Sequence, residues 1–123
     1  MSKYEEMSDF EINKLVALLI ERLGLLTYIV TFNDSDEVVH LCEEDGLYSM
    51  IPIAHFDPCN NPADAWPIIL EYKIGIDTIG FKGGEDRVWW AELTFNEYGD
   101  HHYAEDKNPL RAAMIVYLML GNV

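Results

Sequence analysis

Apolar positions at helical spacing open the chain. Ile12, Leu15, Val16, Leu19 and Leu23 fall on one stripe, and Leu18 and Ile20 widen it. Ser8 and Glu11 form a capping box in front of them, and Gly24 supplies the stop. The spacing predicts a helix from about Asp9 to Leu23, packed along much of its circumference or meeting a partner. The pattern then changes. Leu25 to Phe32 is β-branched and aromatic with partial alternation, which predicts a strand. Asn33-Asp34-Ser35-Asp36 is a turn. Val38 to Cys42 and Leu47 to Ile53 are two further strands, with a turn at Glu43-Glu44-Asp45-Gly46 between them.

The second half begins at Asn61-Pro62, an N-cap followed by proline at the first helical position. Asp64 sits where a carboxylate favours a helix N-terminus. Ala63, Trp66 and Leu70 share a face, and Pro67 removes a backbone donor, so a kink is expected. Ile74 to Lys82 is a strand, Gly83-Gly84-Glu85-Asp86 a hairpin loop, and Arg87 to Glu97 the return strand. In that return strand Trp89, Ala91, Leu93 and Phe95 take one face; Val88, Trp90, Glu92 and Thr94 take the other. A short third strand follows near His101 to Ala104. Asn108-Pro109 opens a last helix that runs to Leu120 and stops at Gly121. The expected class is α+β: an antiparallel sheet with helices packed on it. The C-terminal part reads α-β-β-β-α, preceded by the N-terminal helix and extra strands. Trp66, Phe95, Met114 and Leu118 are expected in one core.

The order helix, three strands, helix is also that of a double-stranded-RNA-binding domain. Charge argues against that function. Eight Lys plus Arg stand against 22 Asp plus Glu, a formal charge of −14. Such a field repels nucleic-acid phosphates and anionic membranes. The start of the last helix, where that module needs bases, reads Glu105-Asp106-Lys107-Asn108-Pro109-Leu110-Arg111 and is net neutral. The segment from Leu23 to Tyr72 holds nine acids and no Lys or Arg. At 123 residues, half of them hydrophobic, the chain is read as one globular domain. The longest apolar run, Ala112 to Leu120, is about half a membrane span. The N-terminus lacks a signal-peptide design, and Cys42 and Cys59 form no CxxC pair. Reduced thiols and a location in the cytoplasm of the host cell are expected.

Two stretches are distinctive in wording. Cys59-Asn60-Asn61-Pro62-Ala63-Asp64-Ala65-Trp66-Pro67-Ile68-Ile69 is echoed by Asn108-Pro109-Leu110-Arg111-Ala112-Ala113-Met114-Ile115-Val116-Tyr117. With Ser8-Asp9-Phe10-Glu11-Ile12-Asn13-Lys14, they resemble the NinX-like family of small phage and prophage proteins and the related phage ABA sandwich domain. The resemblance covers roughly residues 57 to 120. It implies helices laid on an antiparallel sheet and a phage accessory protein of the bacterial cytoplasm. It carries no catalytic chemistry over to particular residues.

Constellations that could carry chemistry are sparse. His40-Leu41-Cys42, His55 with Cys59, and His101-His102 offer soft ligands, but without the paired spacings of zinc sites. No nucleophile elbow or glycine-rich phosphate loop is present. Neither metal, cofactor nor enzymatic activity is expected. Trp90 shares a face with Glu92 and Thr94, which suits a binding hot spot unless the first half of the chain covers it. Arg111 opposes the dipole of its helix and should be tied to Glu105, Asp106 or Asp64.

Three function classes follow. The first is an inhibitor of a host protein with a basic surface, in the manner of an anti-CRISPR or anti-restriction protein. It would act through Asp34, Asp36, Glu37, Glu43, Glu44, Asp45 and Trp90, without nucleic acid or membrane. The second is a small-ligand binder or small enzyme with a pocket at Asp57, Asn60, Asn61, Trp66 and Arg111. The third is a structural homo-oligomer, such as a homodimer, without a catalytic role.

Overall fold

The computed structural model describes residues 3–23, 29–44, 50–79, 88–95 and 100–121. The chain divides into two compact units, Met1–Asp57 and Pro58–Val123. Each is a three-stranded antiparallel sheet with helical cover, and the class is α+β. The extra strands of the first half do not extend the C-terminal sheet. They form a sheet of their own.

In the first unit α1 spans Asp9–Arg22. The Ser8 hydroxyl accepts from the Glu11 N–H at 3.1 Å, as the capping pattern requires. Ile12, Val16, Ala17, Leu19 and Ile20 are buried. The stripe is narrower than the periodicity suggested: Leu18 and Leu23 are exposed and Leu15 is half-buried. One sheet covers one side of a helix, so the flanking leucines stay in solvent. Three strands follow: β1 Ile29–Asn33, β2 Val38–Glu44 and β3 Met50–His55. They pair in chain order, β1-β2-β3, with a register shift between Leu41 and Cys42. Strand β2 runs on through Glu43 and Glu44, which the acidic composition had assigned to a turn. Helix α1 packs on β1 and β2. Val39, Leu41, Cys42 and Phe56 complete the core. The buried Asn13 amide donates to Asp57 Oδ1 at 2.7 Å, so it is not orphaned.

The second unit contains α2 Pro62–Tyr72, β4 Gly75–Ile79, β5 Val88–Phe95, β6 Asp100–Asp106 and α3 Pro109–Leu120. The sheet order is β4-β5-β6. Both helices open as the Asn-Pro pattern predicts, with Asn61 and Asn108 as N-caps. Helix α3 lies on β5 and β6, reaches β4, and packs against α2. Every residue from Arg111 to Leu118 is buried. Small residues bring helix and sheet close: Ala91 and Ala104 are cross-strand partners in the core, and Ala112 and Ala113 are fully buried.

One core assignment is overturned. Met114 and Leu118 are fully buried, but Trp66 is 54% exposed. The Phe95 side chain lies outside the described residues. Helix α2 buries Ala65, Ile68 and Ile69 and turns Ala63, Trp66 and Leu70 to solvent. With apolar residues on two adjoining stripes, periodicity alone cannot choose between them. Contact with α3 makes the choice, and Tyr72 meets Tyr117 there with ring centroids 4.9 Å apart. The helix continues across Pro67, which faces solvent. It ends at Lys73, which adopts the left-handed conformation at φ 55°. The Ile74 N–H reaches back to the Ile69 carbonyl at 3.0 Å, closing the last turn.

Candidate functional site

The acidic residues singled out in the first half fall at two places along β2. Asp34, Asp36 and Glu37 occupy the exposed turn between β1 and β2. The turn is built by Asn33, whose side-chain oxygen accepts from the Asp36 N–H at 3.1 Å while its amide donates to Asp36 Oδ2 at 2.9 Å. Glu37 sits at φ 54°, a conformation usually left to glycine or asparagine. Glu43 is exposed near the far end of β2. The Glu44 side chain and all of Asp45 lie outside the described residues. A strand climbs about 3.3 Å per residue, so Glu37 and Glu43 stand roughly 20 Å apart. That exceeds a Debye length of about 8 Å at physiological salt, and the two groups act as separate charges.

The turn is not free of bases in space, although it is in sequence. Lys14 reaches from α1 to within 3.3 Å of Asp34 Oδ1. The same ammonium lies over the Phe10 and Phe32 rings. Nothing at the level of the local sequence could join Lys14 to Asp34; the docking of α1 on β1 does so. Asp36 and Glu37 stand exposed next to this pair.

The residues grouped as a ligand pocket have structural work. The Asn61 side chain caps α2 through the Ala63 N–H at 3.0 Å. Asn60 Oδ1 accepts from the Asn108 amide, which also donates to the Cys59 carbonyl. Asp57 accepts from Asn13. Arg111 is tied to Asp106, one of the three carboxylates named for it: Nε lies 3.0 Å from Oδ2, with both side chains largely covered. Trp66 is exposed on the outer stripe of α2.

The outer face of the second sheet gathers more chemistry than the sequence foretold. Trp90 stacks on Tyr103, with ring centroids 4.5 Å apart and planes 11° apart. His101 lies 5.6 Å from Tyr103, centroid to centroid. Its Nε2 is 3.0 Å from Glu92 Oε2. The Glu92 carboxyl is held below its ordinary range, first by the hydrogen bond from His101 and then by one from Trp90. Tyr103 is 51% exposed and Trp90 half-buried. Tyr103 escaped the sequence reading because its partner is set by the register of β5 with β6, where Glu92 faces Tyr103 and Trp90 faces Glu105. Alternation along β6 could have marked it as an outward residue, but not its neighbours.

His40 and His55 face each other across β2 and β3, ring centroids 4.9 Å apart. Among the described residues no group of three His, Cys, Asp or Glu side chains is placed to hold a metal ion. Among them, too, no helix is long and apolar enough to cross a membrane.

Comparison with known proteins matches residues 3–120 to the family described as Bacteriophage P22, NinX. The chain belongs to that family. The match takes in nearly all of both units, where the wording of the motifs had pointed mainly to the second. No curated protein matches the chain, and no solved structure does. Membership makes this a small accessory protein of a phage family, and its α+β units agree with the expected architecture.

Proposed function

We propose that the chain is a non-catalytic inhibitor that binds a host-bacterial protein with a basic surface in the host cytoplasm, as an anti-CRISPR or anti-restriction protein would. The observation that carries this reading is the exposed acidic turn Asp34–Glu37 in a chain of net charge −14. Carboxylates held on a short, hydrogen-bonded turn are preorganised to meet a Lys- and Arg-rich groove, and such fields chiefly accelerate association. The phage family supplies the biological setting in which a small protein meets host proteins.

The test begins with an unbiased pull-down from the host bacterium. With a partner in hand, association rates are measured against salt for the parent, for Asp34→Lys, Asp36→Lys and Glu37→Lys together, and for Glu43→Lys, Glu44→Lys and Asp45→Lys together. The reading expects slower association and a shallower salt dependence in at least one set, with the fold retained. Identical rates and slopes in both sets would eliminate electrostatic capture.

The homo-oligomer is a second reading with an observation of its own. Helix α2 presents Trp66, 54% exposed, and Leu70, 57% exposed, on one stripe. Sedimentation of the parent and of Trp66→Glu distinguishes a dimer built on that stripe from a monomer.

A further inference from the structure

We propose that the outer face of the β4-β5-β6 sheet is a docking platform for arginine side chains of a partner protein, with Trp90 and Tyr103 as the stacking surface and Glu92 and Glu105 as the carboxylates that meet the guanidinium. The surface lies on the second unit, and the inference stands whether or not the acidic turn of the first unit binds anything.

Strands β4, β5 and β6 contain no Lys or Arg, yet they carry Asp77, Glu92, Asp100, Glu105 and Asp106. Of these, Asp106 is already paired with Arg111, and Glu92 meets His101 through one oxygen, Oε2. Cross-strand register places Asp77 and Glu105 on either side of Trp90, and Glu92 opposite Tyr103. Two stacked rings therefore sit in a fence of carboxylates. An aromatic face attracts a cation, and guanidinium suits it better than ammonium because it is planar, weakly hydrated and able to stack while its edge bonds a carboxylate.

The geometry is also preorganised. Glu92 accepts from both His101 and the Trp90 side chain, Trp90 stacks on Tyr103, and His101 closes the circuit against the Tyr103 ring. Each ring is fixed by a neighbour, so little side-chain entropy remains to be lost when a ligand settles on it. A nucleobase would also stack on such rings, but the phosphates that accompany it meet the carboxylate fence, and strands β4, β5 and β6 carry no Lys or Arg to hold them. Charge complementarity selects the arginine-bearing protein.

The experiment uses the full chain, labelled with ¹⁵N, at physiological salt. Three probes are titrated: a capped Gly-Arg-Gly-Arg-Gly peptide, the same peptide with lysine for arginine, and a thymidine oligonucleotide. The inference expects saturable shifts of the Trp90 indole N–H and the Tyr103 amide with the arginine peptide, and roughly 3-fold weaker binding of the lysine peptide. Tyr103→Ala and, separately, Glu92→Gln should each weaken the arginine peptide about 3- to 5-fold. Tyr103 is half exposed, so its loss leaves the fold intact, which unchanged amide shifts in α1 and α3 verify. Unmoved Trp90 and Tyr103 signals, equal binding of the two peptides, or preference for the oligonucleotide would overturn the inference. Shifts confined to Asp34–Glu43 would overturn it too, while supporting capture by the acidic turn.

Discussion

Helices α2 and α3 open on the same two residues and finish in different surroundings. Each starts with an Asn cap and a Pro in the first turn. Beyond that point α3 is buried residue after residue, while α2 buries Ala65, Ile68 and Ile69 and leaves Trp66 and Leu70 in solvent. The reason is what each helix meets. Sheet strands lie on one side of α3 and α2 on another; α2 has α3. The caps differ in the same sense. The Asn61 oxygen accepts one bond, from Ala63. The Asn108 oxygen accepts from Leu110 and Arg111, while its amide ties the helix start to Cys59 and Asn60. A local signal fixes where a helix begins. Its tertiary neighbours fix which side is core.

The largest consequence of this difference is in packing. Met114→Ala or Leu118→Ala removes a fully buried side chain and should cost about 2–5 kcal/mol. Trp66→Ala, on the exposed stripe, should cost less than about 1 kcal/mol despite removing the larger side chain. Urea unfolding of the three variants at constant m-value checks the ranking. A Trp66→Ala loss as large as that of Leu118→Ala would break the comparison, since α2 would then have a second covered face.

That ranking is where the sequence misled, and the reason is physical. The caps at Ser8, Asn61 and Asn108 were legible because a cap is a contact between residues two or three apart. The alternation of β5 was legible because one face packs on a helix: Ala91 and Leu93 are buried as expected. The face of α2 was not, because Ala63-Trp66-Leu70 and Ala65-Ile68-Ile69 are both apolar at helical spacing. The candidate site was hidden for the same reason. Trp90 was visible as an outward aromatic, but its stack on Tyr103 depends on strand register, and the Lys14–Asp34 pair depends on helix docking. Strand order in the first half is likewise a matter of pairing. The hairpin loop Gly83–Asp86 lies outside the described residues.

The next consequence concerns charge at the third position of each helix. Asp64 in α2 agrees with the dipole, and Arg111 in α3 opposes it. Arg111 persists there because Asp106 lies beside it, with side-chain exposures of 11% and 23%. Replacing Arg111 by Met leaves a largely covered carboxylate without this partner and should cost about 1–3 kcal/mol. Asp64→Asn should cost only a few tenths, or about 0.5 kcal/mol. A double-mutant cycle of Arg111→Met with Asp106→Leu sharpens the point: the pair should lose less than the sum of the singles. Strict additivity would show that the two side chains do not stabilise one another.

A last effect is at the helix ends, and its sign is opposite. Helix α3 ends at Gly121 in right-handed geometry, at φ −77°, where glycine's freedom is not used. Helix α2 ends at Lys73 in left-handed geometry, at φ 55°, where it would be. An L-residue there brings its Cβ against a carbonyl and costs about 1–2 kcal/mol relative to glycine. Glycine in turn gives the unfolded chain more freedom, which takes back part of the gain. The net expectation for Lys73→Gly is a stabilisation of about 0.5–1 kcal/mol, seen as a higher urea midpoint at unchanged slope. The Ile74-to-Ile69 backbone bond and the burial of Ile74 should survive, because neither uses the lysine side chain. A destabilised variant would mean that the Lys73 ammonium, placed at the negative end of α2, offsets the backbone strain through the last carbonyls. Lys73→Gln then separates the two effects, since it keeps the strained Cβ and discards the charge.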